Sequence, residues 1–203
     1  ALEGVERVSL SEALLKDVIE RSAFAMAQQD VRFYLNGLLF DLRGDSLRCV
    51  ATDGHRLALC EAALPGGTGT KRQIIVPRKG VLELQRLLEG GDRLVELELA
   101  RNHLRLRRED VSFTTKLIDG RFPDYEAVIP IGADKTVEVD REVLRSALQR
   151  AAILSNEKFR GVKLEPRPGI QGLLLLAEKG KHRGHLAHQV AVVQVPHPCS
   201  APS

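Results

Sequence analysis

Residues 49–60 read C-V-A-T-D-G-H-R-L-A-L-C, with a turn signal between two apolar runs. Apolar runs flank Asp53-Gly54, and Asp-Gly between two such runs is the strongest short-range signal for a β-hairpin. We expect a two-residue type I′ turn, which needs a positive φ at both central residues. Three polar residues and a leucine would then sit at the tip: Thr52, His55, Arg56 and Leu57.

The polar residues at this tip leave three interpretations open. In the first, Asp53 and His55 form the acid/base pair of a hydrolase. In the second, the tip belongs to a surface that binds a partner. In the third, Asp53 only hydrogen-bonds to its own backbone in the turn. The hydrolase hypothesis is the least favoured, because the sequence shows no Ser or Cys nucleophile in a recognisable elbow and no second carboxylate placed opposite.

A pattern of strand, helix and β-meander begins three times, near residues 6, 73 and 136, which indicates a structural repeat. Two of these units are expected to pair into one α+β domain, with two helices on one face of a continuous antiparallel sheet. The third unit would be the first half of a second such domain. Within the first unit, residues 31–35 predict a strand, because they are rich in β-branched and aromatic side chains.

Capping residues and apolar periodicity place three helices. Ser11 is the expected N-cap of a first helix that ends at about Ala27. Pro77 suits the first position of the second helix, where its missing N–H is not needed. Asp140 is the expected N-cap of a third helix over residues 141–153.

The composition is that of a soluble globular protein: 203 residues, 43% of them hydrophobic, with a net charge of +3. This charge is too small to hold nucleic acid by itself. Because the sequence has no secretory segment and no apolar run of membrane-spanning length, we expect a cytoplasmic protein. Three cysteines without metal-ligand spacing are expected as reduced thiols: Cys49, Cys60 and Cys199.

Basic side chains recur on the expected helices. Arg141 and Arg145 lie four residues apart on one face of the third helix, and Arg78 and Lys79 open the second. A solvated helix surface is one explanation of these charges, and the spacing alone favours it. The other explanation is a wall that contacts the phosphates of duplex DNA without reading its bases.

Five collinear stretches of the sequence resemble the bacterial sliding clamp, the beta subunit of DNA polymerase III. The resemblance runs from about residue 5 to about residue 165, and the consistent spacing of the stretches makes it specific. The stretches are VRFYLNGLLF (31–40), VATDGHRLAL (50–59), VPRKGV (76–81), KLIDGRFPDY (116–125) and RAAILSNEKFRGVKL (150–164).

The resemblance implies a DNA clamp fold. In this family a ring-shaped homodimer surrounds duplex DNA, each subunit has three similar domains, and the helices face the hole while antiparallel sheets lie outside. The implied function is that of a DNA polymerase processivity factor in DNA replication, a non-catalytic subunit of the DNA polymerase III holoenzyme. Its partners would be duplex DNA, the polymerase catalytic subunit and the clamp loader, the two proteins docking through short linear motifs. We expect no cofactor and no metal.

The resemblance also implies site residues, position by position. The family's peptide-binding pocket matches Leu35, Thr52, Gly54, His55, Arg56, Leu57, Pro123 and Val128. The apolar walls would be formed by Leu35, Leu57 and Val128. His55 and Arg56 would mark the rim. The expected DNA-facing residues are Gln29, Tyr34, Arg78, Lys79, Arg141 and Arg145.

The two ends of the chain depart from the family pattern. We expect a complete clamp domain over residues 1–130, which matches the family's middle domain, half of the third domain over 131–165, and a divergent tail over 166–203 with a hairpin and a disordered end. Without a first domain the chain would not close a ring alone; alternatively it would be a truncated product that only binds clamp partners. A frameshift, a fusion or a gene fragment would explain both departures.

Four of the six histidines lie in this tail: His182, His185, His188 and His197. A metal site is one interpretation of their clustering. A polar surface loop is favoured, because no carboxylate or cysteine ligands are well spaced around them.

Overall fold

A computed structural model describes residues 5–64, 67, 71–132, 139–153, 162–166, 173–177 and 191–194. The chain divides into two compact units. The first comprises Ala1–Pro130 and His188–Ser203, and the second comprises Ile131–Ala187.

The first unit contains the strand–helix–meander pattern twice. The first copy consists of β1 (Glu6–Ser11), α1 (Glu12–Ala23), β2 (Gly37–Arg43), β3 (Ser46–Thr52) and β4 (Arg56–Ala63). The second consists of β5 (Lys71–Pro77), α2 (Arg78–Leu87), β6 (Leu94–Leu99), β7 (His103–Arg107) and β8 (Ser112–Lys116). Two 3-10 helices, Phe33–Leu35 and Glu126–Val128, complete the unit.

The first strand of each copy pairs with the meander of the other copy. One sheet has the order β1-β6-β7-β8, and the meander β2-β3-β4 is extended by β5 beside β2. All these pairings are antiparallel. The prediction of a single continuous sheet is therefore wrong, because strands β1–β8 form two sheets. The Ile118 amide joins them by donating a 2.9 Å hydrogen bond to the Ile75 carbonyl.

The first helix is shorter than its periodicity predicts. Ser11 is its N-cap, as expected, and the hydroxyl accepts a 3.2 Å hydrogen bond from the Leu14 amide. The helix ends at Ala23 rather than at about Ala27. Beyond that point the Met26 amide bonds back only three residues, to the Ala23 carbonyl, and such tight turns close a helix C-terminus.

The expected strand over residues 31–35 is wrong, since Phe33–Leu35 is a 3-10 helix. Local side-chain bonds explain the difference. The Asn36 amide group donates to the Asp30 carbonyl at 2.8 Å, and its oxygen accepts from the Asp30 amide at 2.9 Å. These bonds close the segment into a turn, which a short apolar run cannot reveal.

Pro77 is the N-cap of α2 and the last residue of β5, not the first helical residue. Its φ of −64° fits either position, since the pyrrolidine ring fixes that angle. The strand and the helix therefore follow one another without a loop.

Two hydrophobic clusters lie on opposite faces of β2. The larger cluster fills the space between the sheets and the helices, and it takes Leu38 and Phe40 from this strand together with Leu15 of α1 and Val81 of α2. The smaller one, here called the outer cluster, takes Leu39. Its other buried members are Ala27, Leu35, Val50, Leu57, Ile75, Phe122 and Tyr125. Side chains alternate between the faces of a strand, so this strand is buried on both sides.

The second unit contains α3 (Arg141–Ile153), β9 (Val162–Pro166) and β10 (Leu173–Ala177). The helix has the bounds expected for it, and the Val143 amide donates a 2.9 Å hydrogen bond to Asp140, which confirms that N-cap. The two strands pair antiparallel. In the first unit, β11 (Ala191–Gln194) pairs in parallel with β4.

Candidate functional site

Four residues, 53–56, lie between the last paired residues of the β3–β4 hairpin, where two were expected, and the last of the four, Arg56, already begins β4. Thr52 and Leu57 are the last paired residues of the hairpin. Between them, Asp53 accepts hydrogen bonds from the amides of His55 (2.9 Å) and Arg56 (3.0 Å) through the same carboxylate oxygen. The expected type I′ turn is therefore wrong, because this side-chain geometry closes a longer loop. Gly54 has a φ of 87°, a value that favours glycine.

The second oxygen of Asp53 is also occupied, by the Arg56 guanidinium at 3.1 Å. Partial burial opposes ionisation of Asp53, but the backbone hydrogen bonds from His55 and Arg56 outweigh it and lower its pKa. A carboxylate held ionised by its own loop is a poor general base. The contacts of Asp53 therefore correspond to the turn interpretation and not to an acid/base pair.

The loop continues into the outer cluster. Leu35 and Leu57, expected as pocket walls, are only 1% and 2% exposed and are members of that cluster. Thr52 is half-buried at the edge of the loop, and Gly54, His55 and Arg56 are exposed. The loop therefore presents polar groups around an apolar base.

The chain around Pro123 and Val128 covers the same face of the sheet. Phe122 and Tyr125 are buried in the outer cluster. Between and beside them Pro123 is exposed, and Val128 is 49% exposed. The expected pocket residues thus share one face of the β2–β5 sheet, with leucines beneath and the other side chains at the surface.

A polar network fixes residues 122–128, here called the covering segment, to the strands. The Tyr125 hydroxyl donates a 2.6 Å hydrogen bond to Asp41 on β2 and accepts one of 2.8 Å from Arg43. Glu126 accepts hydrogen bonds from Arg43 and Arg48, each at 2.9 Å. Burial and the hydrogen bond to Asp41 raise the pKa of Tyr125 to about 12.

A second set of contacts joins the loop to residues 24–32. The Arg56 guanidinium donates a 2.9 Å hydrogen bond to the Phe24 carbonyl and lies 5.6 Å from the centre of the Phe24 ring. Arg32 reaches the Asp53 carbonyl at 3.5 Å. Side-chain and backbone hydrogen bonds from Arg32 lower the pKa of Asp30 to about 2.

The expected DNA-facing residues lie in three places. Gln29 and Arg78 line a cavity of about 330 Å³, which Arg56 and Asp53 also line. Lys79 is exposed at the start of α2, whereas Tyr34 is half-buried against the outer cluster and packs edge-on against Phe33. Arg141 and Arg145 are exposed on α3 in the other unit, and both pair with Glu142.

Sequence reasoning missed Asp41, Arg43 and Tyr125, which position the covering segment. One signal was available, since Asp41 interrupts the apolar run of β2 and a buried carboxylate needs partners. Phe24 and Arg32, which contact the loop, gave no such signal.

No group of metal-ligating side chains is found among the residues that the structure describes. The four tail histidines and Cys199 lie outside those residues. Cys49 and Cys60 are free thiols that face each other across β3 and β4. No helix in the described part of the chain is long and apolar enough to cross a membrane.

Comparison with known proteins places this geometry in a family. The profile of the DNA polymerase III beta subunit, central domain, matches residues 9–124. The chain belongs to this family. The profile of the C-terminal domain of the same subunit matches residues 126–190, which extends beyond Leu164, near which we expected the resemblance to end.

Relatives in the sliding clamp family support the assignment. The chain is 52% identical over 161 residues to the beta sliding clamp of Pseudomonas putida, and 52% identical over 156 residues to that of Escherichia coli strain K12. These matches cover 79% and 77% of this chain but only 44% and 42% of the relatives. The chain therefore spans less than half the length of the curated clamps it matches.

Solved clamp structures confirm the α+β clamp fold. The structure of the DNA polymerase III subunit beta from Pseudomonas aeruginosa matches with a TM-score of 0.80 and 50% identity, covering 84% of this chain and 46% of that one. The sliding clamp from Bacillus subtilis matches with a TM-score of 0.77 at only 27% identity, covering 87% and 50%. The fold is thus retained where the sequence has diverged.

Proposed function

We propose that this chain supplies a protein-docking surface and a DNA-facing surface of a DNA polymerase sliding clamp. The whole clamp is a homodimeric processivity factor of the cytoplasm that surrounds duplex DNA without reading its sequence. It has no catalysis of its own, and it tethers the polymerase III catalytic subunit and the clamp loader through their short linear motifs. Residues 1–130 act as a complete clamp domain, 131–165 as the first half of the next, and 166–203 as a divergent tail.

One observation carries the docking proposal: Leu57, which follows the loop at residues 53–56, and Phe122 and Tyr125 of the segment at residues 122–128 are buried in the same outer cluster. A short peptide needs apolar ground for its anchors and polar groups at the rim. Val128 and Pro123 are exposed and provide that ground, and Leu35 and Leu57 are buried in the outer cluster.

The rim provides the polar part of recognition. Thr52 directly precedes the loop that contains Gly54, His55 and Arg56, and Arg56 is held by Asp53 and by the Phe24 carbonyl. A guanidinium that is already positioned loses little conformational freedom when it binds a carbonyl or carboxylate of a peptide.

The DNA-facing proposal rests on basic and polar side chains. Arg78 and Lys79 begin α2, and neither has an ion-pair partner within the portion of the chain described here. Together with Gln29 and Tyr34 they would contact phosphates, which provides affinity without sequence preference. Arg141 and Arg145 on α3 would do the same from the second unit.

Isothermal titration with a synthetic peptide that carries the clamp-binding motif of a polymerase III catalytic subunit tests the docking surface. Val128→Asp places a charge on exposed apolar ground and should weaken binding at least tenfold. Leu94→Asp is the matched control, because Leu94 is 72% exposed and lies on β6 in the other sheet. Absence of binding by the unaltered chain, or equal losses in both variants, would contradict the proposal.

The DNA-facing surface needs a separate test. Retention of the chain on circular duplex DNA, and its loss when the circle is cut, would support encirclement. Sizing chromatography under the same conditions gives the number of copies involved. Peptide binding without any retention would leave a surface that only binds clamp partners.

A further inference from the structure

The carboxylate of Asp41 lies in an unusual place for a charge. It belongs to β2, between Phe40 and Leu42, and it is only 4% exposed. A buried carboxylate is tolerated when hydrogen-bond donors or cations surround it. Here it receives the Tyr125 hydroxyl at 2.6 Å and the Arg43 guanidinium at 2.8 and 2.9 Å.

Both partners of this carboxylate hold the covering segment. Tyr125 belongs to that segment and inserts its ring into the outer cluster. Arg43 bonds to the Tyr125 hydroxyl at 2.8 Å and to Glu126 at 2.9 Å, and it therefore contacts two successive residues of the segment. Arg48 adds a further bond to Glu126 from β3. The segment is thus attached to the sheet by charge-assisted bonds, and Asp41 accepts those from Tyr125 and Arg43.

The exposed residues of the docking surface depend on this attachment. Val128 follows Tyr125 by one 3-10 turn, and its amide donates a 3.3 Å hydrogen bond to the Tyr125 carbonyl. Pro123 precedes Tyr125 by two residues. A shift of Tyr125 therefore moves both residues relative to Leu57.

We propose that Asp41 is a positioning residue for peptide docking. It acts through Tyr125 and Arg43, holding Pro123 and Val128 in place over the outer cluster without touching the peptide itself. The inference rests on the proposed docking function, and it adds a residue that lies on the strand beneath the surface. Preorganised binding surfaces lose less entropy on association, so loosening this segment should weaken binding even though every contact residue remains.

Two variants test the network at different points. Asp41→Asn keeps the shape of the side chain and removes its charge. Tyr125→Phe keeps the buried ring and removes the hydroxyl. Losing a hydrogen bond to a charged group corresponds to roughly a tenfold change in an equilibrium constant. We expect each variant to raise the Kd of the clamp-motif peptide about tenfold, with the larger effect in Asp41→Asn.

Glu98→Gln is the matched control. Glu98 is also 4% exposed, and it is paired with Arg105 at 3.2 Å and Arg107 at 3.4 Å, but it lies on β6 in the other sheet. It should lower the thermal midpoint in the same way as Asp41→Asn while leaving the Kd unchanged. Hydrogen exchange supplies a readout that general destabilisation would not move: in Asp41→Asn the Val128 and Ile129 amides should exchange faster, and those of Leu97 and Leu104 should not.

The outcomes separate this inference from the function on which it rests. No peptide binding by the unaltered chain overturns both. Normal binding by the unaltered chain and by both network variants overturns the positioning role alone. Equal losses in Glu98→Gln and Asp41→Asn overturn it as well, because the effect would then follow stability.

Discussion

Thr52 and Leu57 face each other as the last pair of the β3–β4 hairpin. This register places Leu57 in the outer cluster and leaves His55 and Arg56 exposed in the loop. A slip of one residue would exchange the two faces of β4 and take Leu57 out of the outer cluster. The four-residue loop therefore determines which side chains a partner meets.

The glycine of this loop should resist substitution more than an equivalent glycine elsewhere. Gly44 and Gly54 have φ values of 79° and 87°, so alanine at either should cost about 1 kcal/mol of unfolding free energy. At Gly54 the added Cβ would also lie 2.9 Å from Arg32 Nη2, so the Arg32 side chain would have to move and strain its bonds to Asp30 and to the Asp53 carbonyl, whereas nothing lies within 4 Å at Gly44. Urea denaturation should show the larger loss of unfolding free energy for Gly54→Ala. Equal losses in the two variants would mean that displacing the Arg32 side chain costs nothing.

Neighbouring leucines of β2 should report on the two clusters separately. Leu38→Ala and Leu39→Ala each leave a cavity and should cost about 2–5 kcal/mol. Only Leu39 belongs to the outer cluster. Hydrogen exchange of residues 122–129 should therefore accelerate in Leu39→Ala and remain near the unaltered rate in Leu38→Ala. The reverse pattern would show that the segment does not depend on the outer cluster.

Alkaline pH should weaken the attachment of Tyr125. Its pKa of about 12 in the folded chain exceeds the ordinary value of 10.0, so folding favours the neutral phenol. This contribution is complete below pH 10 and is lost as the pH rises through about 12. The difference in unfolding free energy between the unaltered chain and Tyr125→Phe should shrink across that range. A constant difference would mean that the hydroxyl titrates as in the unfolded chain.

Salt dependence should identify the phosphate contacts. Arg78→Ala and Lys79→Ala should each reduce the slope of log affinity for a duplex against log salt by about 1. Arg86→Ala is the control, because Arg86 lies on the same helix but is paired with Glu83 at 2.8 Å. Fluorescence anisotropy over a salt series measures the slopes. The same change in Arg86→Ala would indicate a general effect of charge.

Burial should protect two of the thiols from reagents. It raises the pKa of Cys49, which is fully buried, and also that of Cys60. Thiolate is the reactive form, so both should react slowly with iodoacetamide until the chain is unfolded. Mass spectrometry of peptides after brief labelling gives the result, and rapid native labelling of Cys49 would contradict its burial in the larger cluster.

Local signals in the sequence predicted the elements whose ends are set locally. The helix Arg141–Ile153 has its expected bounds, and Asp140 and Ser11 cap as expected, because capping depends on residues three positions apart. The strand predicted over residues 31–35 is absent, and local side-chain bonds explain this error too. Asn36 and Asp30 bond to each other and impose a turn that the apolar run does not announce.

The proposed docking surface could not be predicted from local signals alone. The resemblance to the clamp family named its residues, but not that Leu35 and Leu57 would lie beneath the surface rather than along an open wall. The Asp41–Tyr125 bond joins residues 84 positions apart, and no periodicity links them. Such pairings follow from the packing of the segment at residues 122–128 on the sheet, which is a tertiary property.

A peptide footprint on the folded chain would show whether the hairpin loop and the segment at residues 122–129 bind the clamp-motif peptide. Hydrogen exchange, measured with and without the clamp-motif peptide, reports which amides the bound peptide protects. We predict protection of residues 52–57 and 122–129, with no change along β6 and β7. Protection confined to β6 and β7, or none at saturating peptide, would contradict it.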